Sequence, residues 1–228
     1  MDLHFIAEWL DTACHGFDGA ILKFMHSLAE GAGAILTPIA EIFAFIGDNG
    51  YMCFLLALIL LCFPKTRKAG VCIIFAVGFG ALITNLTLKE AICRARPYMS
   101  GDIDFTAWWN YIGAPVESEF SFPSGHTTAA MAGAVAVCLN FRKLRFIIPA
   151  LCYAVIMGLS RNYLMVHYPT DVIAGLVVGT IGALLSYLFI YLVYRFIIEK
   201  YSDKKLFAFA LNFDVRDVFK SKKGSEEQ

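Results

Sequence analysis

Apolar residues come in long, nearly unbroken runs along this chain, with neither the alternation of a half-buried strand nor the narrow stripe of a surface helix. A bilayer core of about 30 Å is crossed by roughly 20 apolar residues in a helix. Five runs approach that length. Residues 51–63 (YMCFLLALILLCF) are short alone and extend back to Gly47, residues 69–88 are a clean span, and residues 127–141 are rich in small side chains. Residues 146–159 follow, and 172–194 are the longest run. Within that last run Gly175 and Gly179 have the spacing that lets two membrane helices approach closely.

The first 47 residues are less regular. Residues 18–30 (DGAILKFMHSLAE) read as an amphipathic helix, and 32–46 are apolar but carry Pro38 and Glu41. A charge at mid-bilayer is costly, so this region is either a broken first span or helices lying at the interface. The pattern predicts an all-α, polytopic transmembrane bundle of five to six spans. Residues 1–200 form one integral-membrane domain in this reading, and 201–228 a basic cytoplasmic tail.

Composition supports the same class. Apolar residues make up 58% of the chain and charged residues 17%, with a mean hydropathy of +0.63 and a formal net charge of zero. Soluble domains carry about 25% charged residues. Nucleic acid is excluded as a partner, because the basic residues form no stripe interleaved with aromatics. The seven cysteines (14, 53, 62, 72, 93, 138, 152) make no CxxC pair, so zinc-ribbon spacing is absent. Those inside apolar runs behave as small hydrophobes. No basic n-region or cleavage site marks a signal peptide.

Lysine and arginine set orientation in a membrane. If five spans alternate, the links at 64–68 and 141–145 and the tail from Arg195 share one side, with 14 of the 19 basic residues. That side is expected to be the cytoplasm. The N-terminal region has one basic residue, Lys23, among six acids up to Glu41, which favours its lying outside. Six spans with the N-terminus inside is the alternative.

Four basic residues escape this rule: Lys89, Arg94, Arg96 and Arg161. The first three belong to KEAICRARP (89–97), at the end of a span, where seven-residue spacing puts Lys89 and Arg96 on one helical face. Guanidinium forks match phosphate oxygens, although such residues also snorkel at helix ends. A second cluster, PSGH (123–126), opens an apolar run and so should form a helix N-terminus, whose free N–H groups favour an anion. Ser124 suits a cap or a phosphate donor, Gly125 permits close backbone approach, and His126 suits a general acid. The third is SRNYLMVHYPTD (160–171), where Asp171 could orient the His167 ring or simply cap a helix. All three groups fall on one face of the membrane. Together they suit the binding and cleavage of a phosphate ester, and no HxxxH or acidic cluster with good metal-ligand geometry appears.

These motifs, KxxxxxxRP, PSGH and SRxxxxxHxxxD, resemble in this order the three signatures of the type-2 phosphatidic acid phosphatase superfamily. The hydrophobic spans resemble its integral-membrane branch. The resemblance implies hydrolysis without metal or cofactor, through a phosphohistidine. His167 would be the nucleophile, oriented by Asp171, with His126 protonating the leaving oxygen. Lys89, Arg96 and Arg161 would bind phosphoryl oxygens, with Ser124 and the Gly125 N–H as further donors and Arg94 as a secondary contact. An outward-facing site on a short bacterial-type chain looks like an undecaprenyl diphosphate phosphatase of the plasma membrane. Phosphatidylglycerophosphate or phosphatidic acid phosphatases, and a lipid phosphotransferase, are the alternatives. A carrier or channel is disfavoured, because the spans hold few polar residues at mid-bilayer. The 98–122 segment, with Trp108, Trp109 and Tyr111, reads as a solvated loop with interfacial aromatics. Its acids Asp102, Asp104, Glu117 and Glu119 alternatively position the cations.

Overall fold

The computed structural model describes residues 3–198, and every regular element among them is helical. The helices are α1 (His4–Ala13), α2 (His15–Gly47), α3 (Tyr51–Leu61), α4 (Arg67–Ile83), α5 (Lys89–Ile92), α6 (Ile103–Tyr111), α7 (Gly125–Phe141), α8 (Leu144–Tyr163) and α9 (Pro169–Val193). A π-helical turn, Thr84–Leu88, joins α4 to α5. The predicted tail, 201–228, lies outside the described residues.

Four helical stretches are long and apolar enough to cross a membrane: His15–Leu61, Arg67–Met99, Leu144–Tyr163 and Pro169–Phe196. The fifth predicted span, α7, has only 17 residues, but it sits at the centre and packs on α4, α8 and α9. Its buried face is almost all small: Ala130, Ala132, Gly133, Ala134 and Ala136. Small residues let backbones touch in lipid, where no hydrophobic effect drives helices together. The spacing of Gly175 and Gly179 serves this contact. A Cβ at Gly179 would lie 2.5 Å from the Thr128 carbonyl oxygen, and one at Gly175 2.8 Å from that of Ser124. We therefore predict that Gly179→Ala lowers the thermal midpoint in detergent, by an overpacking cost of about 1–3 kcal/mol. An unchanged midpoint would mean that α7 and α9 do not need this approach.

The N-terminal region is mostly α2, which bends at Ala32 (φ −141°) and packs mainly against α8. Near its start, Asp18 bonds Thr170 at the beginning of α9. At its end, Gly47 and Asp48 line the same cavity as His126. Both ends of α2 therefore lie at one end of the bundle, and α3, α4, α7, α8 and α9 alternate in direction beneath it. Before the bend, Leu22, Met25 and Ala29 pack on Phe105, Leu164, Met165 and Tyr168. After it, Thr37 bonds Tyr163 (2.8 Å) and Phe43 packs on Tyr153 of α8. Glu41 points away from the bundle and is exposed.

Candidate active site

The site forms where α5, α7, α8 and α9 end together. A cavity of about 300 Å³ is lined by Lys89, Arg96, Glu117, Glu119, Gly125, His126 and His167, among others. The π turn before α5 presents Asn85 and Lys89, four residues apart, to the same wall. Such turns widen the helix to more than four residues per turn, which brings that pair closer to one face.

Helix α5 stops at Ile92, because Cys93 takes a left-handed conformation (φ 53°). The shared helical face expected for Lys89 and Arg96 is thus not what unites them. Arg96 arrives on extended backbone (ψ 158°) and lines the cavity from there. Its Nε donates to the Glu119 carbonyl (2.7 Å) and its guanidinium to the Val166 carbonyl (2.9 Å). Those bonds tie the 112–124 segment to the turn that carries His167.

His167 is buried, with its ring held from both sides. Nε2 lies 3.4 Å from the Arg96 guanidinium, on the cavity side. Nδ1 lies 3.4 Å from Ser121 Oγ and 3.6 Å from Asp171 Oδ2. The same Asp171 oxygen accepts from Ser121 Oγ at 2.5 Å and from the Tyr168 N–H at 2.9 Å. Asp171, three residues after the Tyr168 N-cap of α9, thus bonds that residue's N–H and lies behind the histidine. Ser121 bridges the two, a role that sequence reading did not find.

Burial, together with the charges of Arg96, Arg161 and Lys89, holds the His167 imidazole well below its ordinary pKa. The ring is therefore neutral, with a free lone pair, at neutral pH. A solution NMR titration of labelled imidazoles should place His167 below the usual 6.5. A normal or raised value would contradict the enclosed cationic setting.

The 98–122 segment carries α6 and sets two acids on the site's cations. Glu117 pairs with Arg161, and Arg96 lies 3.9 Å from its other oxygen. Glu119 pairs with Lys89. Burial opposes the charge on Glu117, but Arg161 and Arg96 outweigh it and lower its pKa. Trp109 stacks on Tyr98 (4.4 Å) and Trp108 on His26 (5.4 Å), holding α6 down. Asp102 caps α6 (2.9 Å to the Asp104 N–H), while Asp104 is exposed. The solvated reading therefore holds for Asp104; Glu117 is largely covered, and Glu119 is paired with Lys89 yet stays exposed.

Not every predicted residue reaches the cavity. Arg161 lies behind Glu117 with its Nε unpartnered. Ser124 is fully buried and caps α7, its Oγ accepting from the Thr127 hydroxyl at 2.9 Å. Arg94 faces the other way. Its donors go to Asp11 (2.8 Å), Asp18 (3.0 Å), Asp171 (2.7 Å) and Thr170 (2.7 Å), and it stacks on the Tyr168 ring. A secondary phosphate contact is not where its guanidinium lies.

Residues 69–195 match the family described as the PAP2 superfamily, which is more than half of the chain. The chain belongs to the PAP2 superfamily. Among its relatives, an undecaprenyl-diphosphatase of Sulfolobus acidocaldarius is 32% identical over 128 residues, 56% of this chain and 58% of that protein. A lipid A 1-phosphatase of Rhizobium johnstonii is 39% identical over 118 residues, 51% of this chain and 46% of that protein. The chain thus spans about half the length of these two relatives. The crystal structure of a transmembrane PAP2-type phosphatidylglycerolphosphate phosphatase from Bacillus subtilis superposes with a TM-score of 0.52 at 28% identity. It covers 84% of this chain and 96% of the solved one. The PAP2 match begins at residue 69, so Asp11 and Asp18 lie outside it.

Proposed function

We propose that this PAP2 protein is an integral-membrane lipid phosphatase that acts without a metal through a phosphohistidine, with undecaprenyl diphosphate as its first candidate substrate. The supporting observation is the enclosed cavity in which His167 Nε2, His126 and the cations Lys89 and Arg96 meet, with Arg161 one carboxylate away. The name of the archaeal relative favours the polyprenyl diphosphate. Phosphatidylglycerophosphate and phosphatidic acid are the alternatives, with lipid phosphotransfer as a variant of the same chemistry. By the distribution of basic residues, the site faces away from the cytoplasm and the C-terminus lies inside.

The chemistry follows from the placement. An incoming phosphoryl group exchanges with Glu117 and Glu119 for the cations they hold. The N–H groups at the start of α7 add donors for its charge. His167 Nε2 attacks phosphorus along the line opposite the lipid oxygen. As the P–O bond breaks, His126 passes a proton to that oxygen and the lipid leaves. Asp171, through Ser121, stabilises the positive charge on the substituted imidazole. Water then attacks phosphorus in line with the P–N bond; His126 takes the water's proton as the new P–O bond forms, the P–N electron pair returns to His167 Nε2, and inorganic phosphate leaves. The cations supply the electrostatic stabilisation that a metal supplies elsewhere.

The test is phosphate release by the purified protein in detergent with excess EDTA, across undecaprenyl diphosphate, phosphatidylglycerophosphate and phosphatidic acid. Undiminished release from at least one lipid is expected, with kcat/KM ranking the three. Activity that vanishes in EDTA and returns with a divalent cation would contradict the proposal.

A further inference from the structure

We infer that Asp18, in the first turn of α2, is a positioning residue for Asp171 and acts through Arg94 and Thr170. This rests on the reading of His167 as nucleophile. It makes the N-terminal helix, which lies outside the PAP2 match, part of the working site.

Asp18 is 1% exposed and shares the buried face of α2 with Leu22, Met25 and Ala29. A carboxylate on an apolar stripe is expensive unless it is paired and hydrogen-bonded. Here it is both. Oδ1 accepts from the Thr170 N–H (2.9 Å), and Oδ2 accepts from the Thr170 hydroxyl (2.7 Å) and the Arg94 guanidinium (3.0 Å). Thr170 sits in the first turn of α9, next to Asp171 in sequence, so α2 supplies an anion to the N-terminus of the helix that carries Asp171.

The second link is electrostatic. One guanidinium, on Arg94, serves both Asp18 and Asp171, which are fully enclosed, and Asp11, which is half-exposed. Asp171 is therefore not neutralised by Arg94 alone, because Asp18 and Asp11 take their shares of the same cation. The charge left on Asp171 is what stabilises a cationic His167 ring across 3.6 Å. Removing the Asp18 charge gives Arg94 more completely to Asp171. The imidazole then becomes a weaker base and a weaker nucleophile.

The groups that face His167 are Asp171 of α9, Arg161 of α8, Lys89 of α5, and Arg96, Glu117 and Ser121 from the segments between helices. Asp18 touches none of these except through Arg94 and Thr170, so a change there reports on the relay.

The experiment compares wild type, Asp18→Asn, Asp11→Asn and His167→Ala in detergent, on one lipid phosphate, measuring kcat, KM and the pH profile. For Asp18→Asn we expect kcat to fall by up to about 100-fold, KM to stay unchanged, and the acid limb of kcat/KM to move to lower pH. Asp11→Asn, whose half-exposed side chain makes misfolding no obstacle, should shift the limb the same way by less. Profiles for both variants that superpose on wild type would overturn the inference while leaving the phosphatase reading intact, provided His167→Ala is inactive. Activity in His167→Ala would overturn both.

Discussion

Replacing His167 with alanine is expected to lower kcat for lipid phosphate hydrolysis by at least about 10⁴-fold, as removal of a covalent nucleophile does elsewhere. The protein should remain folded. Asp171, the group most exposed to the loss, keeps its bonds to Arg94, Ser121 and the Tyr168 N–H. The truncation removes a ring that stands between those groups and the cavity, and Nε2 is the atom that faces the cavity. Substrate binding should survive, because Lys89, Arg96 and Arg161 are untouched. The check is kcat beside the thermal midpoint of the same preparation. A folded variant with near wild-type turnover would remove His167 from the chemistry.

Arg94→Met should be the most destabilising single change in the site. It leaves Asp18 and Asp171, 1% and 0% exposed, facing each other without their shared cation. Breaking a buried pair by removing one partner costs about 3–5 kcal/mol. The double variant Arg94→Met with Asp18→Asn removes one of the stranded charges and should be more stable than the single change, since the groups form one network. Thermal unfolding in detergent measures both. A midpoint for Arg94→Met equal to wild type would show that the carboxylates do not depend on this guanidinium. A phosphate-contacting arginine would give a different signature, raised KM with an unchanged midpoint.

The membrane helices were legible because lipid imposes long apolar runs, and the gathering of Lys89, Arg96, His126 and His167 around one cavity was legible because their polar motifs stand out from apolar sequence. What escaped was whatever depended on long-range pairing. Glu117 and Glu119 look like loop acids, since their partners Arg161 and Lys89 are 44 and 30 residues away. Arg94 and Arg96 look equivalent until their partners are seen: Arg94 serves Asp11, Asp18 and Asp171, and Arg96 the Glu119 and Val166 carbonyls. Asp18 carried a readable signal: it falls in register with Leu22, Met25 and Ala29, and an acid on an apolar stripe calls for a cation. The path of α2 was ambiguous for a physical reason. Pro38 lies within the helix and Glu41 on its exposed face, so neither breaks the helix nor sits in the bundle core.

The covalent step is the claim on which the rest depends. Rapid acid-free quenching of the enzyme with lipid labelled in its terminal phosphate, followed by peptide mapping, tests it most directly. The account predicts an acid-labile, alkali-stable phosphoryl group on the peptide carrying His167, formed within one turnover and absent in His167→Ala. Full turnover with no label on any histidine, or with label on another residue, would contradict it.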